Sequence, residues 1–372
     1  MTVRKLRIGI DGRAWTSPAA GVRRYISGLV PALLTLDDPI DVVSLGGPAD
    51  GLPRGVTWVD EPPHPPTNLG WSSVGLPWAA GRADVDVIHA PAYTAPLTGR
   101  VPIVLTIHDV SYERRPDWYP YRRDWLRRAF YRRSALRASQ VVTDSNFSAR
   151  EIEAAYGIPT DRITVAPLGV SHLFVPKASG VHHEPPPGVH PGFLLHVGDL
   201  HARRNLDIVV RALIDARRQS TVPFPMSLVL AGVDRGTGDA LEQMAAAASL
   251  PDLVVCLGQV REDCLIALYR EAAALVYPSR YEGFGLPVIE AMACGTPVIA
   301  SRAASIPEVL GEAGILIDPD DVAGWSAAIA TVLSDETTRA RMRAAGLARA
   351  TEFTWARTAR RTLEAYKSAV KR

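Results

Sequence analysis

At 372 residues the chain is too long for one ordinary core and suits two domains, while 41 Lys and Arg against 39 Asp and Glu leave a net charge of +2, too weak a field for a dedicated nucleic-acid binder. Cys256, Cys264 and Cys294, odd in number, set in apolar contexts and without CxxC spacing, argue against a disulfide framework or a zinc site and for buried reduced thiols, which suits the cytoplasm. The opening MTVRKLRIGIDGR passes into an apolar run too brief for a signal peptide, and no apolar stretch approaches the roughly 20 residues that span a bilayer.

Short β-branched runs recur between longer helical patterns at 6–10, 42–45, 85–88, 103–107 and 141–144, which is strand–helix alternation. Strands this continuously apolar are buried on both faces, so the first part of the chain, 1–180, reads as a domain built on a parallel, doubly wound sheet. VHHEPPPGVHPG, 181–192, stacks prolines and glycines that fit neither a helix nor a central strand and reads as an interdomain linker. A second series fills 193–355, with strands at 193–197, 227–231, 253–257, 274–277, 297–300 and 315–317 and helices at 205–218, 263–272 and 321–334. A last helical pattern covers 356–372. The expected architecture is α/β: two doubly wound, Rossmann-like parallel-sheet domains facing each other across a cleft, with the chemistry in loops that follow strands.

Two such loops of the second domain carry unusual side chains. In LLHVGDLHARRN a predicted strand gives way to a glycine turn and then to Arg203 and Arg204, just before Asn205, a residue suited to cap the next helix. Cations at a helix start oppose its dipole, and an anionic ligand would remove that conflict. Taken alone, the two arginines read equally well as solvated surface charge. In YEGFGLPVIEAMACGTPVIAS, 281–301, Gly283 and Gly285 let the backbone approach a ligand, and Pro287 starts a helix whose free N–H groups form an anion site. Glu282 projects from the turn and Glu290 lies inside the helix, one carboxylate for each end of an extended ligand. An isolated pair at this spacing reads first as solvated helix charges.

LVYPSRYEGFGLPVIEAMACGTPVIASRAASIPEVLGEAGILIDPDD, with Glu282 and Glu290 separated by seven residues, resembles the donor domain of the retaining family 4 glycosyltransferases of GT-B fold. VGDLHARRN resembles that family's phosphate-binding stretch, with an arginine where lysine is usual; both cations bind phosphate. In the first domain IGIDGRAW, AAGVRRY, VDVIHAPAY, VLTIHDVSYERRPDWYP and VTDSNFSAREI follow the family's order and are similar to a mannosyltransferase-like bacterial branch, with Arg23 where that branch commonly has a second glycine.

The resemblance implies transfer of a hexose from a nucleotide diphosphate sugar, GDP-mannose for preference, to a glycan, lipid-linked or small-molecule acceptor. It implies diphosphate contacts from Arg203, Arg204, Gly21 and the N–H groups of Phe284, Gly285 and Leu286, ribose contacts from Glu290, and sugar contacts from Glu282, Gly283 and His108. Glu282, His108 and Arg203 are the expected catalytic residues, and Asp109 either orients His108 or caps the following turn. No metal or other cofactor is expected, since guanidinium groups and backbone dipoles can stabilise the leaving diphosphate. A front-face substitution assisted by that leaving group fits retention without a protein nucleophile. The terminal helix is expected to return to the first domain.

Asp84-Val85-Asp86 spells a metal-diphosphate pattern of a different glycosyltransferase fold, but it leads into a predicted strand where metal-binding aspartates should follow one, so both read as solvent-facing strand starts. His182, His183 and His190 lie in the proline-rich stretch without partners at fixed distance for a metal. YRRDWLRRAFYRRSALR, 121–137, holds seven arginines and one aspartate, with Trp125, Leu126, Ala129, Phe130 and Leu136 on one helical face that Arg122, Arg133 and Arg137 interrupt. It reads either as a solvated helix whose arginine stems cover the core or as a peripheral surface for anionic membrane lipid or a lipid-linked acceptor. A nucleotide-sugar epimerase, a glycan phosphorylase and a non-catalytic sugar-nucleotide-binding subunit are the alternatives on the same fold.

Overall fold

Seven parallel strands make the first sheet: β1 (Leu6–Asp11), β2 (Ile40–Leu45), β3 (Val56–Val59), β4 (Val87–Ala90), β5 (Ile103–Thr106), β6 (Gln140–Thr143) and β7 (Ile163–Val165), in the order β3-β2-β1-β4-β5-β6-β7. Six more make the second: β8 (Leu194–Val197), β9 (Leu228–Ala231), β10 (Val254–Gly258), β11 (Ala274–Tyr277), β12 (Val298–Ser301) and β13 (Ile315–Ile317), in the order β10-β9-β8-β11-β12-β13. The computed structural model describes residues 4–119, 124–177, 186, 189, 192–219 and 227–371. His182, His183, His190 and most of the proline-rich stretch therefore lie outside the described residues, as do Arg122 and its neighbours up to 123.

The central strands are apolar and fully buried, as the continuous runs require: β4, β5, β8, β9, β11 and β12 expose no residue. β3 and β7 are edge strands without such a run and were not expected; in β3 the side chains of Thr57 and Trp58 face solvent. β4 begins two residues later than its apolar run suggests, because Asp84 ends the preceding helix in the left-handed conformation (φ 48°). That changes the account of the Asp-Val-Asp stretch. Asp84 is an exposed helix terminus, whereas Asp86 is half-buried, accepts the Arg7 N–H at 2.8 Å and pairs with Arg4, tying the strand starts together. The expectation for the cysteines also changes: all three are free, but only Cys294 is buried, since Cys256 sits on the edge strand β10, where one side lacks a covering strand.

The chain forms two units. One ends at Gly169 and takes in the residues from Thr354 onward, and the other runs from Val170 to Phe353. The second unit thus begins ahead of the proline-rich stretch, not at 193, because the segment before it is bonded there: the Val170 N–H donates to Phe353 O at 3.0 Å, the Phe174 ring meets Tyr269 edge-on at 5.8 Å, and Arg270 Nε donates to Val175 O at 2.9 Å. The C-terminal helix Trp355–Lys371 belongs to the first unit. Its apolar face meets the helix Ala20–Leu34, and Tyr366 OH bonds His89 Nδ1 at 2.7 Å on β4. His89 Nε2 continues to Thr106 Oγ1 at 2.8 Å, and Thr106 to Tyr25 OH at 3.0 Å, so this helix closes a buried polar chain across the sheet. Burial pulls His89 down to about 3, and it is neutral at physiological pH.

The helix docks where two glycines leave room for an indole. A Cβ on Gly28 would lie 2.0 Å from Trp355 Cε2, and one on Gly169 would lie 2.2 Å from the Trp355 backbone nitrogen. Gly28→Ala should therefore displace Trp355 and destabilise the protein by about 1–3 kcal/mol, the ordinary cost of overpacking. A thermal melt unchanged from wild type would disprove this account of the docking.

Candidate functional site

In the second sheet the chain reverses its direction of winding between β8 and β11, which are neighbours, so the loops after both strands share one end of the sheet. These are the two loops singled out above. After β8, Gly198 (φ 133°) turns the backbone into a 3₁₀ turn, Ala202–Arg204. After β11, the loop leads through Gly285 (φ 107°) into the helix Leu286–Cys294. The Arg280 N–H donates to Arg203 O at 2.9 Å, bonding one loop to the other.

The two arginines are not freely solvated: Arg204 is buried and Arg203 half-buried. Arg204 is 7 % exposed, with its guanidinium 5.3 Å from the centre of the Tyr277 ring, and Tyr277 in turn stacks on His196 at 5.5 Å and 21°. Arg204 Nη1 donates to Tyr277 OH and Glu282 Oε1, with Ser279 Oγ at 3.4 Å. Gly198 leaves the space this requires, since a Cβ there would lie 3.0 Å from Arg204 Nη2. Arg203 reaches the same carboxylate: Nη1 lies 3.3 Å from Glu282 Oε2 and 3.2 Å from Tyr281 O. Glu282 is thus held by both guanidiniums and is only 6 % exposed. Arg203 is the more open cation, its side chain 21 % exposed against 9 % for Arg204. Burial lowers the pKa of Arg204, opposed chiefly by Tyr277, and pulls His196 down to about 3, so the ring beneath the stack is neutral.

Asn205 stands at the helix start but does not cap it. Its backbone is left-handed (φ 55°), and its side chain crosses to other loops instead, donating to Pro319 O at 2.7 Å after β13 and accepting from Arg280 Nε at 3.1 Å after β11. Pro287 is the second helical residue, after Leu286, and the cap position Gly285 offers no side chain to the first N–H groups. Two serines absent from the sequence reading pin this loop: Ser301 Oγ donates to Ser279 O, and Ser305 Oγ lies 2.9 Å from both Glu282 O and Phe284 O. Phe284 is buried edge-on against Phe353 at 5.7 Å. Glu290 is no solvated helix charge either; it is 2 % exposed and accepts from Tyr269 OH at 2.8 Å.

In the first unit His108 follows β5 and Asp144 follows β6, and these strands are paired. His108 Nδ1 lies 2.7 Å from Asp144 Oδ2. Of the two roles open to Asp109 it takes the second, capping the following turn by accepting from the Ser111 N–H at 2.8 Å and its hydroxyl at 2.6 Å. Gly21 is not in a loop. It lies exposed in the first turn of the helix Ala20–Leu34, with open space where a Cβ would project. Trp125 and Leu126 are 70 % and 63 % exposed, because the helix Trp125–Arg137 buries Ser134 and Ala135 instead. Among the described residues no helix is long and apolar enough to cross a membrane, and no group of three or more His, Cys, Asp or Glu side chains could hold a metal ion.

A family model described as Glycosyltransferase Family 4 matches residues 19–173, and one described as Glycosyl transferases group 1 matches residues 182–349. The chain is 34% identical over 270 residues to the O-antigen chain mannosyltransferase B of Escherichia coli, spanning 71% of this chain and 70% of that protein. It is 29% identical over 318 residues to the MMP alpha-(1->4)-mannosyltransferase of Mycolicibacterium hassiacum, spanning 79% and 73%. With the D-inositol 3-phosphate glycosyltransferase of Pseudarthrobacter chlorophenolicus it shares 33% identity over 240 residues, 63% of this chain and 57% of that one, less than two thirds of that relative's length. Similar in fold are the sucrose-phosphate synthase of Thermosynechococcus elongatus (TM-score 0.74, 20% identity, 98% of each chain) and HepE of Anabaena solved with UDP and glucose (TM-score 0.71, 20% identity, 98% of this chain and 100% of that one).

The difference in burial between the two arginines predicts different costs for removing them. Arg204→Ala leaves the buried Glu282 with only its looser partner, Arg203, beside an emptied stack and should cost about 3–5 kcal/mol of stability, whereas Arg203→Ala should cost about 1 kcal/mol or less. Equal midpoints for the two variants in chemical denaturation would show that the stack does not hold Glu282.

Proposed function

We propose that this chain, which belongs to the family 4 glycosyltransferases of GT-B fold, moves a mannosyl group from GDP-mannose to a glycan or lipid-linked acceptor with retention of anomeric configuration. The observation that carries the reading is the cluster of Arg203, Arg204 and Glu282 beside the uncapped start of the helix Leu286–Cys294. Two guanidiniums and a helix start without a side-chain cap at one end of a sheet suit a diphosphate, and charge developing on it as it leaves is what such donors stabilise best. The preference for mannose rests on the names of the two mannosyltransferases above.

In this assignment Arg203, the more open cation, meets the diphosphate first and Arg204 keeps Glu282 in place. Gly283 and Glu282 serve the sugar hydroxyls, Glu290 serves the ribose, and His108 contributes to the sugar from the first unit. The bond from the anomeric carbon to the diphosphate oxygen breaks, and the acceptor hydroxyl forms its bond on the same face. That hydroxyl's proton passes to the departing phosphate oxygen, which needs no protein base. The same reading expects no metal ion to be required.

The helix Trp125–Arg137 supports a second element of the proposal. Its outward Trp125 and Leu126, among arginines on the same helix, suit peripheral contact with anionic lipid. Arg128 is excepted, since it is committed to Glu113 through two bonds of 2.8 Å.

Among a panel of nucleotide sugars GDP-mannose should raise the melting temperature most, a ligand at 100 times its Kd adding about 2.7 kcal/mol. Product NMR should show the donor's anomeric configuration, and excess EDTA should leave turnover intact. Arg203→Ala, though folded, should lose on the order of 100-fold in kcat/KM through two charge-assisted bonds; a folded variant at near-normal rate removes Arg203 from the site. Vesicles with anionic lipid should float the protein and neutral ones should not, and Trp125→Ala with Leu126→Ala should weaken that binding. Equal flotation by both vesicle types would end the membrane assignment.

A further inference from the structure

The first unit holds a buried ion pair whose two outer polar atoms lack a hydrogen-bond partner of normal geometry. Asp144 has a side chain 3 % exposed and His108 one 15 % exposed, and their bond of 2.7 Å joins the carboxyl ends of adjacent strands. His108 Nε2 and Asp144 Oδ1 are both buried, and neither has a hydrogen-bond partner of normal geometry. A pair serving stability alone is expected to satisfy its remaining polar atoms, because each buried orphan costs about 1–3 kcal/mol. The ring is also fixed in place. Tyr25 meets it edge-on at 5.0 Å and 84°, Tyr93 at 6.4 Å and 76°, and Ser148 Oγ donates to the His108 carbonyl at 3.0 Å.

We propose that Asp144 is a positioning residue for His108: by accepting from Nδ1 it fixes the ring and its protonation, so that Nε2 acts as a donor toward an oxygen of the bound nucleotide sugar. The inference rests on the assignment of His108 to the sugar in the proposed function, and it deepens that assignment by naming the residue that prepares the histidine. A neutral imidazole with Nδ1–H would present Nε2 as an acceptor; the ionised pair presents it as a donor.

Several groups face the ring. Burial alone would lower the pKa of His108, but the Asp144 carboxylate, with smaller contributions from Asp109 and the Pro91 carbonyl, raises it above the ordinary histidine value. His89 on β4 is neutral, and Tyr25 stays protonated because burial raises its pKa, so neither opposes the charge at neutral pH. A raised histidine pKa means that the ionised form is favoured as pH falls and is lost as pH rises through the folded value. In Asp144→Asn only the smaller contributions of Asp109 and the Pro91 carbonyl still oppose burial, and the same ring should titrate below its ordinary value.

The test follows histidine ¹⁵N and ¹³C signals of the ligand-free protein across pH, with His108→Gln assigning the resonance, alongside steady-state transfer from GDP-mannose. The wild-type ring should show Nδ1–H and titrate above about 6.5, and Asp144→Asn should bring it below. For Asp144→Asn kcat should fall by about 10- to 100-fold or more with the donor KM changed far less, and Asp144→Glu should recover part of the loss. If Asp144→Asn does not fold, Asp144→Ser, which also removes the carboxylate, carries the same comparison. An unchanged His108 titration and kcat within about threefold of wild type overturn the proposal. Should the wild type neither bind nor turn over any nucleotide sugar, the proposed function fails, and the ligand-free titration still decides whether Asp144 controls the ring.

Discussion

A buried carboxylate shared by two guanidiniums is the constraint on which the second unit's site depends. Glu282 lies at 6 % exposure with Arg204 at 7 %, a burial that charges tolerate only when paired and hydrogen-bonded. Each neighbour serves that pairing. Gly198 leaves out a side chain so that the guanidinium fits, Tyr277 receives its face, and His196 backs the stack in neutral form. Ser301 and Ser305 then bond the carbonyls of the loop that carries Glu282, so the carboxylate is fixed from its backbone as well as from its side chain.

This arrangement leaves the two adjacent arginines with different roles. Arg204 is committed to the interior, and removing its partner would leave a buried charge. Arg203 shares the same carboxylate more loosely, at 3.3 Å, with a side chain 21 % exposed, and can exchange part of that contact for an arriving anion at lower cost. Glu290 is held in a similar manner by Tyr269, whose backbone carbonyl is taken by Thr296. In the proposed function, carboxylates oriented before the ligand arrives would lose little freedom when it binds, which is the energetic benefit of preorganisation.

The first unit applies the same physics with neutral groups. Tyr366, His89, Thr106 and Tyr25 form a buried chain of hydrogen bonds that joins the C-terminal helix to the sheet, and Tyr25 then packs its edge on His108. The helix that ends the chain and the histidine assigned to the sugar are therefore part of one packed cluster within this unit. Loosening Trp355 from its glycine-lined seat would be felt at the base of that cluster through Tyr366 and His89.

Much of the fold was legible in the sequence, because a parallel sheet buried on both faces writes itself as continuous apolar runs; ten of the eleven expected strands overlap the observed ones by at least three residues, while the edge strands β3 and β7, which need no such run, were invisible. The residues of the loops after β8 and β11 were legible too, since glycine, arginine and glutamate stood together after two predicted strands. What the sequence could not supply was partnership. That β8 and β11 are neighbours follows from sheet order, and only this brings Arg203 and Arg204 to Glu282, 79 and 78 residues away along the chain. Asp109 stood beside His108 and was the natural local partner, yet Asp144, 36 residues on, took that place because β5 and β6 pair. Composition and periodicity determine which segments become strands and helices, because those preferences are local; the tertiary structure alone decides which charges meet, because ion pairs form between strand ends that only the order of the sheet makes adjacent.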